Sequence, residues 1–468
     1  MIELRTRRRR LSALLALGDA ALVFASLALG YAGLGALGAT SAGAFEVAKK
    51  LAGTAWILVP SHLVVLYLAG LQVPQRSGIG GRYAIRLALA VAGGAVLASG
   101  GLYYLPEVVV GRQPLLLHLP LLFALLLGWR SAVFRRAARE PSRRLAIVGR
   151  RAAVEELVAE LERETVGDYR IGRVKLLPEA GSGPIPRSEA LAGLETGEEL
   201  EKLLELAEFD ALALDTAGLE LSAGELSRVI ELDHSGVEIH DLAALHKRIA
   251  GSFPRSAVKS DAVLRAVAAR PRRRSQARLK RLLDVTAAGA GLAFLGIPML
   301  LLAVLVKLDS RGPAFFLQER LGHRRRPFRC IKFRTMIEGA ERESGPRWAG
   351  AGDPRITRLG AFLRATRLDE LPQLLCVLRG DMSLVGPRPI RDHFARRLAE
   401  RIPFYDLRFG VPPGLTGWAQ VNQHYVASDE DQETKFLYEL FHLENSSLLL
   451  DLHILLKTAR AVVMRRGT

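Results

Sequence analysis

The chain has 468 residues, enough for two or three domains, with a formal net charge of +17 and 49% hydrophobic residues. The positive charge indicates an anionic partner, either nucleic acid or an anionic membrane surface. Aromatic residues make up only 6% and do not alternate with basic ones, which argues against nucleic acid and for a membrane. The two cysteines, Cys330 and Cys376, lie in no CxxC motif, which argues against a disulfide framework and structural zinc.

Four apolar segments come first, each close to the roughly 20 residues that cross a bilayer. They are residues 11–37, 51–71, 83–105 and 115–134. Basic residues cluster before the first segment, between the second and third, and after the fourth. Because such residues stay on the cytoplasmic side, we predict that both ends of this bundle lie in the cytoplasm. The first segment is too long for a signal peptide and shows no cleavage site, so we expect none.

Strand and helix patterns alternate from residue 145 to about residue 252, which predicts a domain built on a parallel sheet. The predicted strands are 145–149, 174–177, 211–214 and 237–240, and the predicted helices are 152–163, 200–207 and 223–234. After Gly149 come Arg150 and Arg151, so the glycine-rich phosphate-binding motif is missing. A structural or regulatory domain is therefore favoured over a nucleotide-binding one.

A basic stretch, residues 270–281, precedes a long apolar run, residues 282–308. The basic stretch is typical of a nucleic-acid tail or of a juxtamembrane segment, and the apolar run that follows favours the second interpretation. The apolar run is long enough to span a bilayer, but basic residues flank both of its ends and Pro298 lies within it. Since proline bends a helix, we predict a re-entrant helix that leaves the membrane on the side where it entered.

Two further segments carry charged residues in ordered patterns. Residues 311–322 are predicted as a turn, a strand and a second turn. Residues 327–336 are predicted as a strand with Lys332 and Arg334 on one face, either to bind diphosphate or as an exposed charged edge. Residues 448–463 have apolar residues at helical spacing with charges between them. This pattern predicts a helix that lies either in the membrane interface or against the core.

The candidate site centres on Asp369 and Glu370, just before a helix predicted from Pro372 to about Arg379 and ended by Gly380. Arginines flank the pair at positions 364, 367, 379 and 388. An ionised carboxylate among guanidinium groups suits in-line attack on a phosphoryl centre, because the arginines neutralise the phosphoryl oxygens. The alternative is an acidic pair that only complements the helix dipole.

Four motifs occur in order: Lys332 to Met336, Leu368 to Gln373, Gly380 to Pro389, and Pro413 to Asn422. Together they resemble the bacterial sugar transferase family, the monotopic polyprenyl-phosphate phosphoglycosyl transferases. The resemblance is specific from about residue 280 onward, and the whole chain is similar to the large membrane-anchored members. The ending, with residues 422–425 and 445–451, resembles the subgroup found with exosortase-type exopolysaccharide loci. Ile297 stands where the family commonly has a serine before the kink proline.

The resemblance implies an enzyme that moves a phosphosugar from a nucleotide diphosphate sugar, expected to be a UDP-sugar, to polyprenyl (undecaprenyl) phosphate with release of UMP. It implies that Asp369 is the nucleophile and lies near Mg²⁺, and that Glu370 places the metal or activates polyprenyl phosphate. It further implies that four basic residues hold phosphate oxygens: Lys332, Arg334, Arg364 and Arg388. The alternatives are a glycosyltransferase that moves the sugar without its phosphate, and an inactive membrane scaffold or nucleotide sensor.

The expected architecture is a membrane α-helical bundle combined with α/β domains. The expected parts are four transmembrane helices (1–137), a Rossmann-like domain (138–255), a basic linker (256–278) and an α/β-type catalytic domain (279–468) with the re-entrant helix 282–308. The resemblance places the protein in the bacterial inner membrane with its soluble domains in the cytoplasm, at the first membrane step of exopolysaccharide or another glycoconjugate. The soluble middle domain is compatible with a homodimer, and no nucleic acid is expected as a partner.

Overall fold

The chain begins with helices and continues into two mixed regions. The computed structural model describes residues 7–36, 44–72, 79–103, 112–139, 142–163, 168–177, 195–196, 209–217, 219, 221–258, 263, 274–340, 353–423 and 429–463. The helix predicted at 200–207 and the residues His424 and Tyr425 lie outside this set.

Four long apolar helices form the N-terminal bundle, in agreement with the four predicted segments. They are α1 (Arg7–Ala36), α2 (Ala44–Leu68), α3 (Gly81–Tyr103) and α4 (Arg112–Arg139). Each contains a stretch long and apolar enough to cross a membrane, and a fifth such stretch, Ser275–Asp309, comes later in the chain. Leucines such as Leu15, Leu58 and Leu126 are fully buried between the helices. The chain therefore has the composition and the packing of a membrane helix bundle.

The bundle encloses an ion pair that the sequence patterns did not indicate. Arg130 of α4 is fully buried and donates to the carboxylate of Asp19 in α1, to the main-chain oxygen of Leu71 and, at 2.7 Å, to the hydroxyl of Tyr83. Because an unpaired charge in an apolar bundle is costly, this network compensates Arg130 from three other parts of the bundle.

A five-stranded parallel sheet follows, which confirms the predicted sheet. Its strands are β1 (Arg143–Arg150), β2 (Tyr169–Leu177), β3 (Glu195–Thr196), β4 (Ala211–Leu214) and β5 (Glu238–Asp241), in the order β3-β2-β1-β4-β5. Its helices are α5 (Arg151–Arg163), α6 (Ala223–His234) and α7 (Leu242–Ala250). Leu145 and Ile147 face α5 and α7, whereas Ala146 and Val148 face α6. The strands are apolar throughout because both faces of the sheet are covered.

The crevice at the end of β1 holds an ion pair. Arg150 donates to the carboxylate of Asp215 at 2.6 and 3.1 Å, and a Cβ atom at Gly149 would lie 2.6 Å from the Cβ of Asp215. In sheets of this strand order, ligands bind at this switch point between β1 and β4. The Arg150–Asp215 pair lies at this switch point, and the structural or regulatory role of the domain stays a prediction.

The segment after α7 packs into the C-terminal part of the chain. Phe253, Val258 and Val263 belong to the same buried cluster as Phe436. Trp418 donates its indole N–H to the main-chain oxygen of Gly251 at 2.6 Å. The boundary predicted at residue 255 falls within this segment, and its apolar residues belong to the core of the catalytic region, whereas the sheet keeps buried clusters of its own.

The C-terminal part combines helices with two small two-stranded sheets. Its helices are α8 (Arg274–Asp309), α9 (Arg358–Ala365), α10 (Leu374–Arg379), α11 (Asp392–Arg401), α12 (Trp418–Asn422), α13 (Asp429–Glu444) and α14 (Leu448–Val463). Its strands are the antiparallel pair β6 (Phe315–Leu321) and β7 (Pro327–Phe333), and the parallel pair β8 (Ser383–Val385) and β9 (Gly414–Thr416). The strand predicted between two turns within residues 311–322 corresponds to β6, and the strand predicted at 327–336 corresponds to β7.

Helix α8 packs along its length against this C-terminal part. Near its start, Arg281 donates to the main-chain oxygens of Val377 and Leu378 at 2.6 and 2.7 Å. In its middle, a Cβ atom at Gly291 would lie 3.2 Å from a methyl group of Leu374. At its end, Val306 is buried in a cluster with Phe333 of β7, Leu363 of α9 and Met299 of α8 itself.

The opposite face of α8 is apolar and exposed. Phe294 is 89% exposed, and the other large apolar side chains there include Ile297, Leu301 and Leu308. Helix α14 is divided in the same way, with Ile454 buried and Leu449 79% exposed. Each helix therefore presents an exposed apolar face in addition to the side that packs on the catalytic region. The predicted helix at 448–463 is α14, and it shows a core-facing side as well as an exposed apolar one.

Candidate active site

The two carboxylates lie in a short 3₁₀ helix, Leu368–Gln373, that follows Arg367 in a left-handed conformation (φ 59°). Only after this turn does α10 begin, at Leu374, and it ends at Gly380 with φ 93°. The predicted end at Gly380 is confirmed, but the predicted helix start at Pro372 was wrong. The reversal at Arg367 begins the 3₁₀ turn earlier, so Asp369 and Glu370 stand inside that turn instead of before a helix.

Glu370 is buried and held by two basic side chains. Its carboxylate oxygen Oε1 accepts from Lys332 Nζ at 2.8 Å and from Arg388 Nη2 at 2.5 Å. Burial alone would raise the pKa of Glu370, but the charges and hydrogen bonds of Arg388 and Lys332 outweigh it and hold the pKa well below its usual range. Glu370 is therefore a fixed anion at neutral pH, as expected for a charge-assisted pair.

Asp369 differs from its neighbour. It is buried, yet within the described part of the chain its carboxylate accepts no hydrogen bond from a donor group. Burial and the negative charge of Glu370 raise its pKa, whereas Lys332, Arg388 and Arg364 act in the opposite direction. Asp369 thus keeps its oxygens unoccupied inside a basic site, which is the condition of a nucleophile or a metal ligand.

The two other arginines predicted to bind phosphate, Arg364 and Arg334, lie in different places. Arg364 donates its Nε to the hydroxyl of Thr335 at 2.8 Å, and the negative charge of Asp369 acts on its guanidinium. Arg334 lies just beyond the end of β7, is buried, and donates Nη2 to the main-chain oxygens of Val306 and Ser310 at 3.2 and 2.6 Å. The structure therefore brings Lys332, Arg364 and Arg388 to the carboxylates and places Arg334 on the end of α8.

The approach of α9 to β7 depends on one glycine. A Cβ atom at Gly360 would lie 2.1 Å from the main-chain oxygen of Thr335. Thr357 begins α9 by accepting from the amide of Gly360 at 2.9 Å, which satisfies one of the free amides of the first turn. Arg364 reaches Thr335 because the helix lies this close to the strand.

Sequence patterns missed three basic residues near Arg388. Arg320 donates to the main-chain oxygen of Pro389 at 2.7 Å, and burial lowers its pKa to about 10. Arg408 donates to the main-chain oxygen of Arg388 at 2.9 Å. Burial lowers the pKa of Lys435 on α13 to about 7; Glu439 opposes this shift, and Arg388 adds to it. No local spacing identifies these residues, since folding brings them together from distant segments.

Among the described residues, no group of three or more His, Cys, Asp or Glu side chains is arranged to hold a metal ion. The unoccupied carboxylate of Asp369 nevertheless suits Mg²⁺, which often takes one or two carboxylates and completes its shell with phosphate oxygens and water. Glu370 is already engaged by Lys332 and Arg388. Asp369 is therefore the carboxylate of this pair that fits the metal.

Comparison with known proteins places this site in a family. The family model described as "Bacterial sugar transferase" matches residues 275–465. The chain is 44% identical over 189 residues to a UDP-N-acetylgalactosamine-undecaprenyl-phosphate N-acetylgalactosaminephosphotransferase of Aeromonas hydrophila, a match that covers 40% of this chain and 44% of the relative. It is 47% identical over 189 residues to a UDP-glucose:undecaprenyl-phosphate glucose-1-phosphate transferase of Caulobacter vibrioides, covering 39% of this chain and 69% of the relative.

A third similarity is to the exopolysaccharide production protein ExoY of Rhizobium meliloti, at 37% identity over 203 residues, 40% of this chain and 87% of the relative. The chain thus spans less than half of the length of the Aeromonas relative but most of the length of ExoY. All four motifs and both carboxylates lie inside the matched residues. The chain therefore belongs to the bacterial sugar transferase family.

Proposed function

We propose that this protein transfers a sugar 1-phosphate from a nucleotide diphosphate sugar, a UDP-sugar, to polyprenyl (undecaprenyl) phosphate at the bacterial inner membrane. The observation that carries the proposal is the difference between the two carboxylates. Glu370 is held by Lys332 and Arg388, whereas Asp369 beside it is buried, unoccupied and surrounded by basic groups. The names of the relatives support the same reaction class, since they describe sugar phosphate transfer to undecaprenyl phosphate.

In the proposed reaction, a carboxylate oxygen of Asp369 attacks the phosphorus that bears the sugar. A bond forms between that oxygen and phosphorus, the bond from this phosphorus to the bridging oxygen breaks, and the nucleoside monophosphate (UMP) leaves with the bridging oxygen. An oxygen of polyprenyl phosphate then attacks the same phosphorus and releases Asp369. Such a covalent step divides the reaction into two displacements and predicts ping-pong kinetics.

The basic residues around the pair act on charge. Arg364, Lys332 and Arg388 favour the ionised form of Asp369 and face the site where a phosphoryl group would carry its negative oxygens. Glu370 keeps Lys332 and Arg388 in place. We propose that Mg²⁺ held at Asp369 neutralises part of the diphosphate charge when it is bound.

The identity of the released nucleotide tests this function. Detergent-solubilised protein with polyprenyl phosphate and a panel of nucleotide sugars should release UMP, in an amount equal to the lipid-linked phosphosugar formed. Release of UDP would show a glycosyltransferase that leaves the phosphate behind. No release with any nucleotide sugar would favour an inactive scaffold or sensor and would contradict the proposal.

We further propose that α8 is re-entrant. Its start contacts Val377 and Leu378 and its middle contacts Leu374, so the segments directly after Asp369 and Glu370 lie beside it. If α8 crossed the bilayer, the buried carboxylates of Asp369 and Glu370 would lie at membrane depth, which is energetically unfavourable. Pro298 lies inside the second half of the helix, where proline favours a bend, and the exposed apolar faces of α8 and α14 would enter the same leaflet.

The re-entrant arrangement predicts that both ends of α8 face the cytoplasm. Single cysteines at Ser275 and Ser310, in a version lacking Cys330 and Cys376, should both resist a membrane-impermeant thiol reagent in intact cells and react after lysis. Cysteine in place of Lys49, at the predicted external end of α2, is the matched control and should react without lysis. Labelling of position 310 in intact cells would mean that α8 spans the membrane, and it would place Asp369 away from its supply of nucleotide sugar.

A further inference from the structure

The loop that carries Arg388 is held at every main-chain oxygen from residue 387 to residue 390. Four donors occupy these oxygens in turn: Gly414 N at 2.8 Å to Pro387, Arg408 Nη2 at 2.9 Å to Arg388, Arg320 Nη1 at 2.7 Å to Pro389, and Leu321 N at 2.8 Å to Ile390. The flanking prolines restrict the backbone further. A loop with this many restraints presents its one charged side chain in a defined direction.

Arg408 connects this loop to α13. Its guanidinium donates Nε and Nη2 to the two carboxylate oxygens of Glu439 at 2.9 and 2.8 Å, and Nη1 to the hydroxyl of Tyr405 at 2.6 Å. The side chains of Arg408 and Glu439 are only 3% and 4% exposed. Nη2 also donates a second hydrogen bond, to the main-chain oxygen of Arg388. The ion pair thus ends on the residue that binds Glu370.

A fully buried ion pair is a weak device for stability, because desolvation of both charges offsets most of their attraction. Its geometric value is greater: a planar guanidinium with fixed donors positions three partners at once, which lysine cannot do. A small displacement of a group that acts on the transition state costs a large factor in rate. The contacts of Arg408 meet the requirement for such a positioning group.

We propose that Arg408, fixed by Glu439 and Tyr405, is a positioning residue that sets Arg388 against Glu370 and the reacting phosphate. This inference rests on the proposed function. It assigns a part in phosphosugar transfer to α13, which lies outside the four motifs of the site. The rival explanation is an ion pair that only stabilises the fold. The two explanations differ in whether the effect of Arg408 passes through Arg388.

A double-mutant cycle separates these explanations. We expect Arg408→Lys to lower kcat/KM for UMP release by about tenfold to a hundredfold, and Arg388→Lys to lower it by about a hundredfold or more. Because Arg408 acts through Arg388, the double variant should be no slower than Arg388→Lys alone, within about twofold. Losses that multiply in the double variant, or an Arg408→Lys variant with full activity, would overturn the proposal.

Two further variants guard the cycle. If Arg408→Lys does not fold by thermal melting, Tyr405→Phe replaces it, since it removes one acceptor of Arg408 and leaves the ion pair. Tyr405→Phe is then measured both in the wild-type protein and in the Arg388→Lys variant. If it lowers kcat/KM by the same factor in both, or lowers it in neither, the proposal is overturned. Glu444→Gln is the matched control. Glu444 lies on α13, as Glu439 does, and the change breaks its 2.9 Å ion pair with Lys247 of α7, so kcat/KM should stay unchanged. Wild-type protein that releases no UMP would instead refute the proposed function.

Discussion

Replacing Asp369 with Asn is expected to reduce turnover below about one percent of the wild-type rate while the protein still folds, since loss of a nucleophile costs many powers of ten. The amide has the same shape but cannot attack phosphorus. The direction of the pKa shift also predicts the effect on stability. A carboxyl whose pKa is higher in the folded than in the unfolded state loses stability as pH rises through that pKa. Ionisation of Asp369 therefore costs folding stability, and Asn, which carries no charge, should not lower the melting temperature.

Glu370→Gln is the matched control for this experiment. The pKa of Glu370 is held low in the folded state, so its ionised form contributes stability above its unfolded pKa, and that contribution is lost as pH falls. Gln leaves Lys332 and Arg388 without their anion and should lower the melting temperature at neutral pH. The two variants should therefore differ in stability. Asp369→Asn activity above about one percent would move the covalent role to Glu370 or to no residue.

Removal of divalent metal is expected to abolish activity, and added Mg²⁺ or Mn²⁺ should restore it. Between Thr366 and Pro389 the only carboxylates are Asp369, Glu370 and Asp381. Glu370 is engaged by two basic groups, and Asp381 lies 3.4 Å from Arg379, which leaves Asp369 for the metal. With so few protein ligands, a bound Mg²⁺ would need oxygens of the substrate diphosphate to complete its shell.

The measurement is UMP release in chelator, followed by titration with each cation. Because the substrate would supply most ligands of the proposed metal, we expect the Mg²⁺ concentration needed for half-maximal rate to fall as the concentration of nucleotide sugar rises. Full activity in chelator would contradict the metal assignment. It would leave Lys332, Arg364 and Arg388 as the groups that neutralise the diphosphate.

Sequence patterns predicted the parts of this fold that depend on local periodicity. The parallel sheet followed from apolar strands alternating with helices, and β6 and β7 followed from short alternating runs between turns. The predicted helix start at Pro372 was wrong because Arg367 adopts a left-handed conformation. Such a conformation is usually signalled by glycine or asparagine in the sequence, and neither stands at this position. The pattern for Arg334 also misled: alternation placed it with Lys332, but the strand ends at Phe333.

The partners of the site could not be predicted because they depend on tertiary contacts between distant segments. Arg408 and Glu439 are 31 residues apart, and Lys332 and Glu370 are 38 apart. Composition identifies an excess of arginine but does not tell which arginine faces a carboxylate and which one ends a helix. The family resemblance identified Lys332, Arg364 and Arg388 as site residues. In contrast, only the structure showed that Arg320, Arg408 and Lys435 lie near Arg388.

The segment after α7, which packs into the catalytic core, has a consequence for how the protein comes apart. Phe253 and Val258 fill space beside α13, and Trp418 uses the oxygen of Gly251 as its acceptor. A cut in the chain after residue 258 would leave both fragments attached, while removal of the upstream fragment would uncover apolar surface on the catalytic one. Local opening of one region should then expose amides of the other, so the two should exchange hydrogen as one cooperative unit.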